Sequence, residues 1–129
     1  MGIICRYECK NCKRVKNLNL GHGLMHSSFD QVKAYFPDEK QAMISELMND
    51  HGYEFSGFDF VAASCEECMD FVAVPVVTLI KREKDNEDKT IIVGKCNASH
   101  EISKEKLESQ ICPICTSVNV KKIIAGRWD

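Results

Sequence analysis

The chain has 129 residues, 44% of them hydrophobic, and a formal net charge of −2. That is enough for a single compact domain, 1–129, with a modest core. It holds no apolar run of the roughly 18 residues that a membrane-spanning helix needs, and its net acidity argues against a general nucleic-acid binder.

Residues 3–8, IICRYE, predict a short strand running into CKNC, and RVKNLNL predicts the return strand through Val15, Leu18 and Leu20. GHGLMHSS is a glycine-rich loop. Ser28 is placed to cap a short helix over FDQVKAYF, and Pro37 to open a second over PDEKQAMISELMNDHG. That second helix has Asp38 and Glu39 in its first turn, an apolar stripe of Ala42, Ile44, Leu47 and Met48, and Gly52 at its exit. YEFSGFDFVAAS spaces its aromatics (Tyr53, Phe55, Phe58, Phe60) as a strand with a bulge at Gly57. MDFVAVPVVTLIKRE is the most strand-like run, and Pro75 puts it at an edge or a bulge. KDNEDK reads as a charged turn and TIIVGK as the returning strand. A polar helix is expected over roughly 103–109, and VNVKKIIA is the last strand.

Eight cysteines are many for this length, and six fall in three Cys-x-x-Cys pairs: Cys9/Cys12, Cys65/Cys68 and Cys112/Cys115. The opening MGIICRYECK carries an early charge and no long apolar stretch, so it is not read as a secretory signal. The expected compartment is the reducing cytoplasm, where disulfides do not persist. The spacing points the same way. Two residues between cysteines let the chain curl so that both sulfurs approach one ion at about 2.3 Å, and backbone N–H groups in the curl soften the thiolate charge. Two Zn²⁺ per chain are expected. The first site is expected to join Cys9 and Cys12 to Cys65 and Cys68. The second is expected to join Cys112 and Cys115 to Cys96 and His100, with Cys5, His22, His26 or His51 as stand-ins for His100. Closed four-ligand sites stabilise and do not catalyse. A redox dithiol fits strand-flanked pairs poorly; iron is the other metal a Cys₄ site accepts.

These knuckles resemble those of the zinc-ribbon superfamily, with its rubredoxin-like Cys-x-x-Cys turns. More narrowly, YECKNCKRVKNLNLGHGLM is similar to the opening of small bacterial zinc-ribbon proteins of unknown function. Those follow with a helical insert, a second Cys-x-x-Cys and a terminal Cys-Pro-x-Cys. Many ribbon knuckles have Gly after the second cysteine, where this chain has Lys13, Met69 and Thr116. The expected fold is therefore α+β: zinc-ribbon β-hairpins around two metal sites, with a helical insert between the first two knuckles. Residues 1–20 and 53–82 would form the first ribbon, 21–52 the loop and insert, and 90–129 the second ribbon.

The remaining features have plainer readings. His22 and His26 flank Leu24 and Met25 in a polar loop, and with His51 they are the only candidates for an enzymatic site. Cys5 is read as a buried thiol. Basic residues cluster at Lys10, Lys13, Arg14 and Lys16, and again at Lys121, Lys122 and Arg127 beside Trp128. Either cluster could meet phosphate, with the indole stacking on a base. From Ser28 to Ile80 there are ten acidic residues and two basic ones, which makes the chain dipolar. The functional expectation is a zinc-binding adaptor that is not an enzyme, with a protein partner favoured by the acidic total, nucleic acid as the alternative and no membrane partner.

Overall fold

The computed structural model describes residues 2–23 and 26–128; Leu24 and Met25 of the glycine-rich loop lie outside the described residues. The chain is mostly β, in two three-stranded antiparallel sheets with short helices between them. β1 (Gly2–Cys9) and β2 (Val15–Leu20) form the predicted first hairpin. β6 (Val120–Trp128) adds to the other side of β1, from Gly2 opposite Trp128 to Cys9 opposite Val120. The first sheet therefore has the order β2-β1-β6 and is built from both ends of the chain.

The second sheet has the order β3-β4-β5: β3 (Glu54–Cys65), β4 (Asp70–Glu83) and β5 (Asn86–Val93). The register slips between Phe55 and Gly57, which is the expected bulge. Two corrections concern this sheet. β4 is its central strand and not an edge: Pro75 sits where the β5 ladder ends. Its carbonyl accepts from Gly94 N–H at 2.8 Å, so the N–H that proline lacks points at the same place, beyond the last β5 pair. The charged turn is also shorter than expected. Glu83 pairs with Asn86, leaving Lys84 and Asp85 as a two-residue turn, and Asn86–Lys89 extend the strand.

The insert carries α1 (Phe29–Val32), one 3₁₀ turn (Lys33–Tyr35) and α2 (Asp38–Asp50). Pro37 is the N-cap residue of α2, one position before the place foreseen for it. Ser28 flanks α1 without a side-chain cap; the Ser27 hydroxyl instead meets Gln31 at 2.8 Å. The polar helix near 103–109 shrinks to one 3₁₀ turn, Lys104–Lys106.

Strand alternation explains how the layers meet. One face of β3 and β4 carries Phe58, Val77 and Leu79 toward one end, where Val32, Phe36 and Ile44 of the helical segment cover them. Further along, the same face presents Ala62 and Phe71 to Cys5, Tyr7, Leu18 and Leu20 of the first sheet. The opposite face carries Ala63, Val74 and Val76 under Cys96 and Ile102. The Tyr7 and Phe71 rings stack at 5.0 Å across the seam. Gly2 is a close-approach position: a side-chain carbon there would run into the Trp128 indole. That indole donates to the Leu20 carbonyl at 2.9 Å and so pins β6 to the far edge of its own sheet.

Ile44 is the fully buried residue of α2, with Leu47 and Met48 packed against the same core. Ile44→Ala is expected to cost about 2–5 kcal/mol, read as a shift in the urea midpoint of the metal-loaded chain with an unchanged slope.

Candidate metal centres

Four tight turns carry the metal-type side chains; those at Cys9 and Cys112 have the same backbone bonds, and the one at Cys96 is a residue shorter. Between β1 and β2, Lys13 N–H returns to the Cys9 carbonyl at 3.0 Å and Cys9 N–H reaches the Arg14 carbonyl at 2.9 Å. Before β6, Thr116 N–H returns to Cys112 at 2.9 Å and Cys112 N–H reaches Ser117 at 2.9 Å. After β5, Ser99 N–H returns to Cys96 at 2.9 Å and Cys96 N–H reaches His100 at 3.1 Å. Between β3 and β4, Cys68 N–H points at the Cys65 sulfur at 3.4 Å. Lys13, Met69, Ser99 and Thr116 have φ of 65°, 53°, 63° and 60°. The left-handed turn that glycine would favour is therefore kept without glycine, at a steric cost.

These turns gather eight side chains into two groups: Cys9, Cys12, Cys112 and Cys115; and Cys65, Cys68, Cys96 and His100. Within each group the donor atoms all lie within 4.8 Å of one another. This corrects the expected pairing. Cys9/Cys12 meet Cys112/Cys115 and not Cys65/Cys68, while Cys96/His100 meet Cys65/Cys68 and not Cys112/Cys115. The division into ribbons 1–20 with 53–82, and 90–129, changes with it. The cause is β6. By pairing along the outside of β1 it carries the Cys-Pro-Ile-Cys turn to the first knuckle, where Lys10 N–H donates to the Asn119 carbonyl at 2.9 Å. The β4–β5 hairpin meanwhile brings Cys96 back beside the end of β3. The groups are nested along the chain, not sequential.

The spacings can be compared with a metal's requirement. Tetrahedral Zn–S bonds of about 2.3 Å set sulfurs about 3.8 Å apart, and a sulfur about 3.6 Å from an imidazole nitrogen. In the first group Cys9 and Cys115 sulfurs are 3.5 Å apart, and Cys12 and Cys112 sulfurs 3.7 Å. In the second, Cys68 and Cys96 sulfurs are 3.7 Å apart, and His100 Nδ1 lies 3.6 Å from Cys65 and 3.1 Å from Cys68. All eight cysteines are free thiols, and these sulfur separations are far beyond the roughly 2.05 Å of a disulfide. Both donor sets fit a tetrahedral dication.

The thiols also show what a cation is needed for. The Asn11 side chain and then the Ser117 backbone hold Cys115 down at about 6. At Cys12 the Arg14 backbone N–H pulls the thiol down, but desolvation and the sulfurs of Cys9, Cys112 and Cys115 outweigh it and push it up to about 11. The Cys65 thiol, then desolvation, pushes Cys68 up to about 12. Each group can thus hold some negative charge unaided but not all of it.

Three features around the groups carry no signal in ligand spacing alone. His100 Nδ1 faces the sulfurs while its Nε2 lies 3.3 Å from the Glu67 carboxylate, close enough to bias the ring's orientation. Glu67 sits inside the Cys65-x-x-Cys68 turn, so its place in the motif was the available clue. Glu66 in the same turn meets Lys106 Nζ at 2.6 Å. Asp70, two residues past Cys68, receives Arg14 at 2.8 Å and Lys16 at 3.2 Å and ties the two sheets together near their knuckles.

The other candidates stand apart. Cys5 is fully buried in the seam between the sheets. His22 Nδ1 lies 2.8 Å from Asp59 beside a cavity of about 340 Å³. His26 Nδ1 accepts from Gly23 N–H at 2.9 Å, and burial followed by nearby His22 lowers its pKa. His51 lies 3.8 Å from Glu46 at the end of α2. None of the three histidines joins a metal-type group among the described residues. Among the described residues no helix is long and apolar enough to cross a membrane. Comparison of the chain with family models, curated proteins and solved structures found no match.

Two outcomes are expected. Met69→Gly and Thr116→Gly each relieve a left-handed backbone and stabilise the loaded protein by about 0.5–1 kcal/mol, measured by denaturation at fixed free zinc. Glu67→Gln weakens metal binding at the second group about 10- to 100-fold and leaves the first unchanged, measured by competition with a chromophoric chelator.

Proposed function

We propose that this chain is a two-zinc β-ribbon protein in which the metals hold a binding surface together and perform no chemistry. The observation that carries the reading is the closure of each donor set: four side chains at tetrahedral spacing leave no position for water or substrate. Cys9, Cys12, Cys112 and Cys115 would hold one ion, and Cys65, Cys68, Cys96 and His100 the other. Thiolate and imidazole donors suit zinc. The resemblance of the knuckles to zinc ribbons supports the same reading, and so do the left-handed residues after each Cys-x-x-Cys pair. With both sites closed, the functional part is the surface, and the role is that of an adaptor or binding module.

Metal and proton compete for the same sulfurs, and the sign follows from the shifts. Cys12 and Cys68 are raised to about 11 and about 12, so both are protonated through the neutral range in the metal-free chain. Loading must release those protons. Apparent zinc affinity is therefore expected to fall at least about tenfold per unit as pH drops from 8 to 6, measured by chelator competition across that range.

Metal analysis of the purified chain is expected to give two zincs. Thiol titration should find no reactive cysteine in the folded protein and all eight after chelation in denaturant. Cys112→Ser and Cys96→Ser should each lose one metal and keep the other. A metal-free chain with native chemical-shift dispersion, or thiols joined to one another, would overturn the proposal.

A further inference from the structure

The acidic total is the argument against a nucleic-acid partner, and the fold changes its weight. Pairing β6 with β1 merges the two basic clusters of the sequence into one ribbon. Residues 2–23 and 112–128 contain eight Lys and Arg against a single carboxylate, Glu8. Residues 24–111 contain nine against seventeen. The net negative charge thus lies mainly in the helical segment and the second sheet, and the ribbon stays positive when a Zn²⁺ held by its four thiolates, net −2, is counted.

Two of the eight cations are already engaged, since Arg14 and Lys16 clamp Asp70. The other six, Arg6, Lys10, Lys13, Lys121, Lys122 and Arg127, are exposed. Among the described residues only Lys10 meets a carboxylate, Glu8 at 3.9 Å. Lys10 and Lys13 flank the first metal group, and Lys121 and Lys122 stand opposite Glu8 and Tyr7 on the adjoining strand. By strand alternation Lys121 shares the face of Arg6 and Glu8, while Lys122 and Arg127 share the face of Tyr7 and Ile3; from Lys121 to Arg127 the strand runs about 20 Å. β6 is also the outer strand of its sheet, so part of its backbone N–H row faces outward and can add to phosphate contacts.

We infer that this ribbon binds the phosphodiester backbone of a nucleic acid without stacking on its bases. A flexible polyanion that follows the outer edge of β6 can reach cations on both faces of that strand and at the knuckle tip. The aromatic residues bear on stacking alone. Trp128, the one indole, is committed to Leu20 and covers Gly2 and Phe60, and Tyr7 is buried against Phe71. Neither is presented for stacking. The inference rests on the two-zinc reading only in that the metal holds the knuckle tip, and zinc content is read separately from binding.

The test uses zinc-loaded protein and a fluorescein-labelled, mixed-sequence 20-nucleotide DNA single strand, followed by anisotropy at 50 and 200 mM salt. Neutralising three to five phosphates predicts about a 20- to 100-fold loss of affinity over that change. The triple variant Lys13→Glu, Lys121→Glu, Lys122→Glu should weaken binding at 50 mM salt by at least about tenfold. Lys33→Glu, Lys84→Glu, Lys104→Glu changes net charge equally outside the ribbon and should stay within about twofold. If the first triple loses zinc, glutamine at the same three positions carries the comparison, with about a fivefold loss expected. No binding at 50 mM salt, or an equal loss in both triples, overturns the inference. So does equally tight binding to poly-glutamate or phosphatidylserine vesicles at the same salt, which would assign the ribbon to an acidic protein or a membrane surface.

Discussion

Four sulfurs within 4.8 Å of one another are an electrostatic problem before they are a binding site. As thiols they are poor hydrogen-bonding groups, and Cys9, Cys65, Cys96 and Cys112 are buried. As thiolates they repel. A dication converts that repulsion into attraction, and the separations of 3.5–3.7 Å are those at which one ion can touch every sulfur. The backbone prepares the place: each turn spends a left-handed residue to aim its pair inward, a cost that only the metal bond returns. With an ion in each group, fold and metal would be one equilibrium.

Loaded with metal, the two groups would do unequal work because they close unequal loops. Cys9 and Cys115 are 106 residues apart, whereas Cys68 and Cys96 are 28 apart. Cross-linking the longer loop removes more chain entropy from the unfolded state, although the gain grows only logarithmically. The structural difference is larger than the entropic one. The inner group ties together turns that the β3–β4–β5 meander already brings close. The outer group joins the two ends of the chain, and beyond it β6 is held by its ladder with β1, the Trp128 indole and Val120 against the seam core. Burial follows the same division. The second sheet has helices on one face and the Ile102 segment on the other, while β6 leaves most of its residues exposed.

Most of the local structure was legible in the sequence because it is written in short-range chemistry. Strand alternation located all six strands, the Phe55–Gly57 bulge and the knuckle turns, and Cys-x₃-His identified the fourth turn. The pairing of the knuckles was not legible. Nothing local distinguishes Cys9/Cys12 meeting Cys65/Cys68 from Cys9/Cys12 meeting Cys112/Cys115; the choice is made by which strand takes the free side of β1. That partner is β6, and its alternation marks it as a strand without saying where it docks. Pro75 misled for a related reason. A proline is excluded where a ladder bond is needed, and β4 is central only along the part that β5 reaches.

The nested arrangement has a consequence for charge that a sequential one would not. Had Cys9/Cys12 met Cys65/Cys68, the basic knuckle would share its metal with the Glu66–Glu67 turn, and the fields would largely cancel. Nesting instead places Lys10 and Lys13 with Lys121 and Lys122, and leaves Glu66 and Glu67 with His100 and Lys106. The carboxylates then serve the ring and the salt bridge of the inner group, while the outer group carries the cations. The same strand that decides the metal pairing thereby segregates the charge, and a chain of net charge −2 presents one strongly positive ribbon.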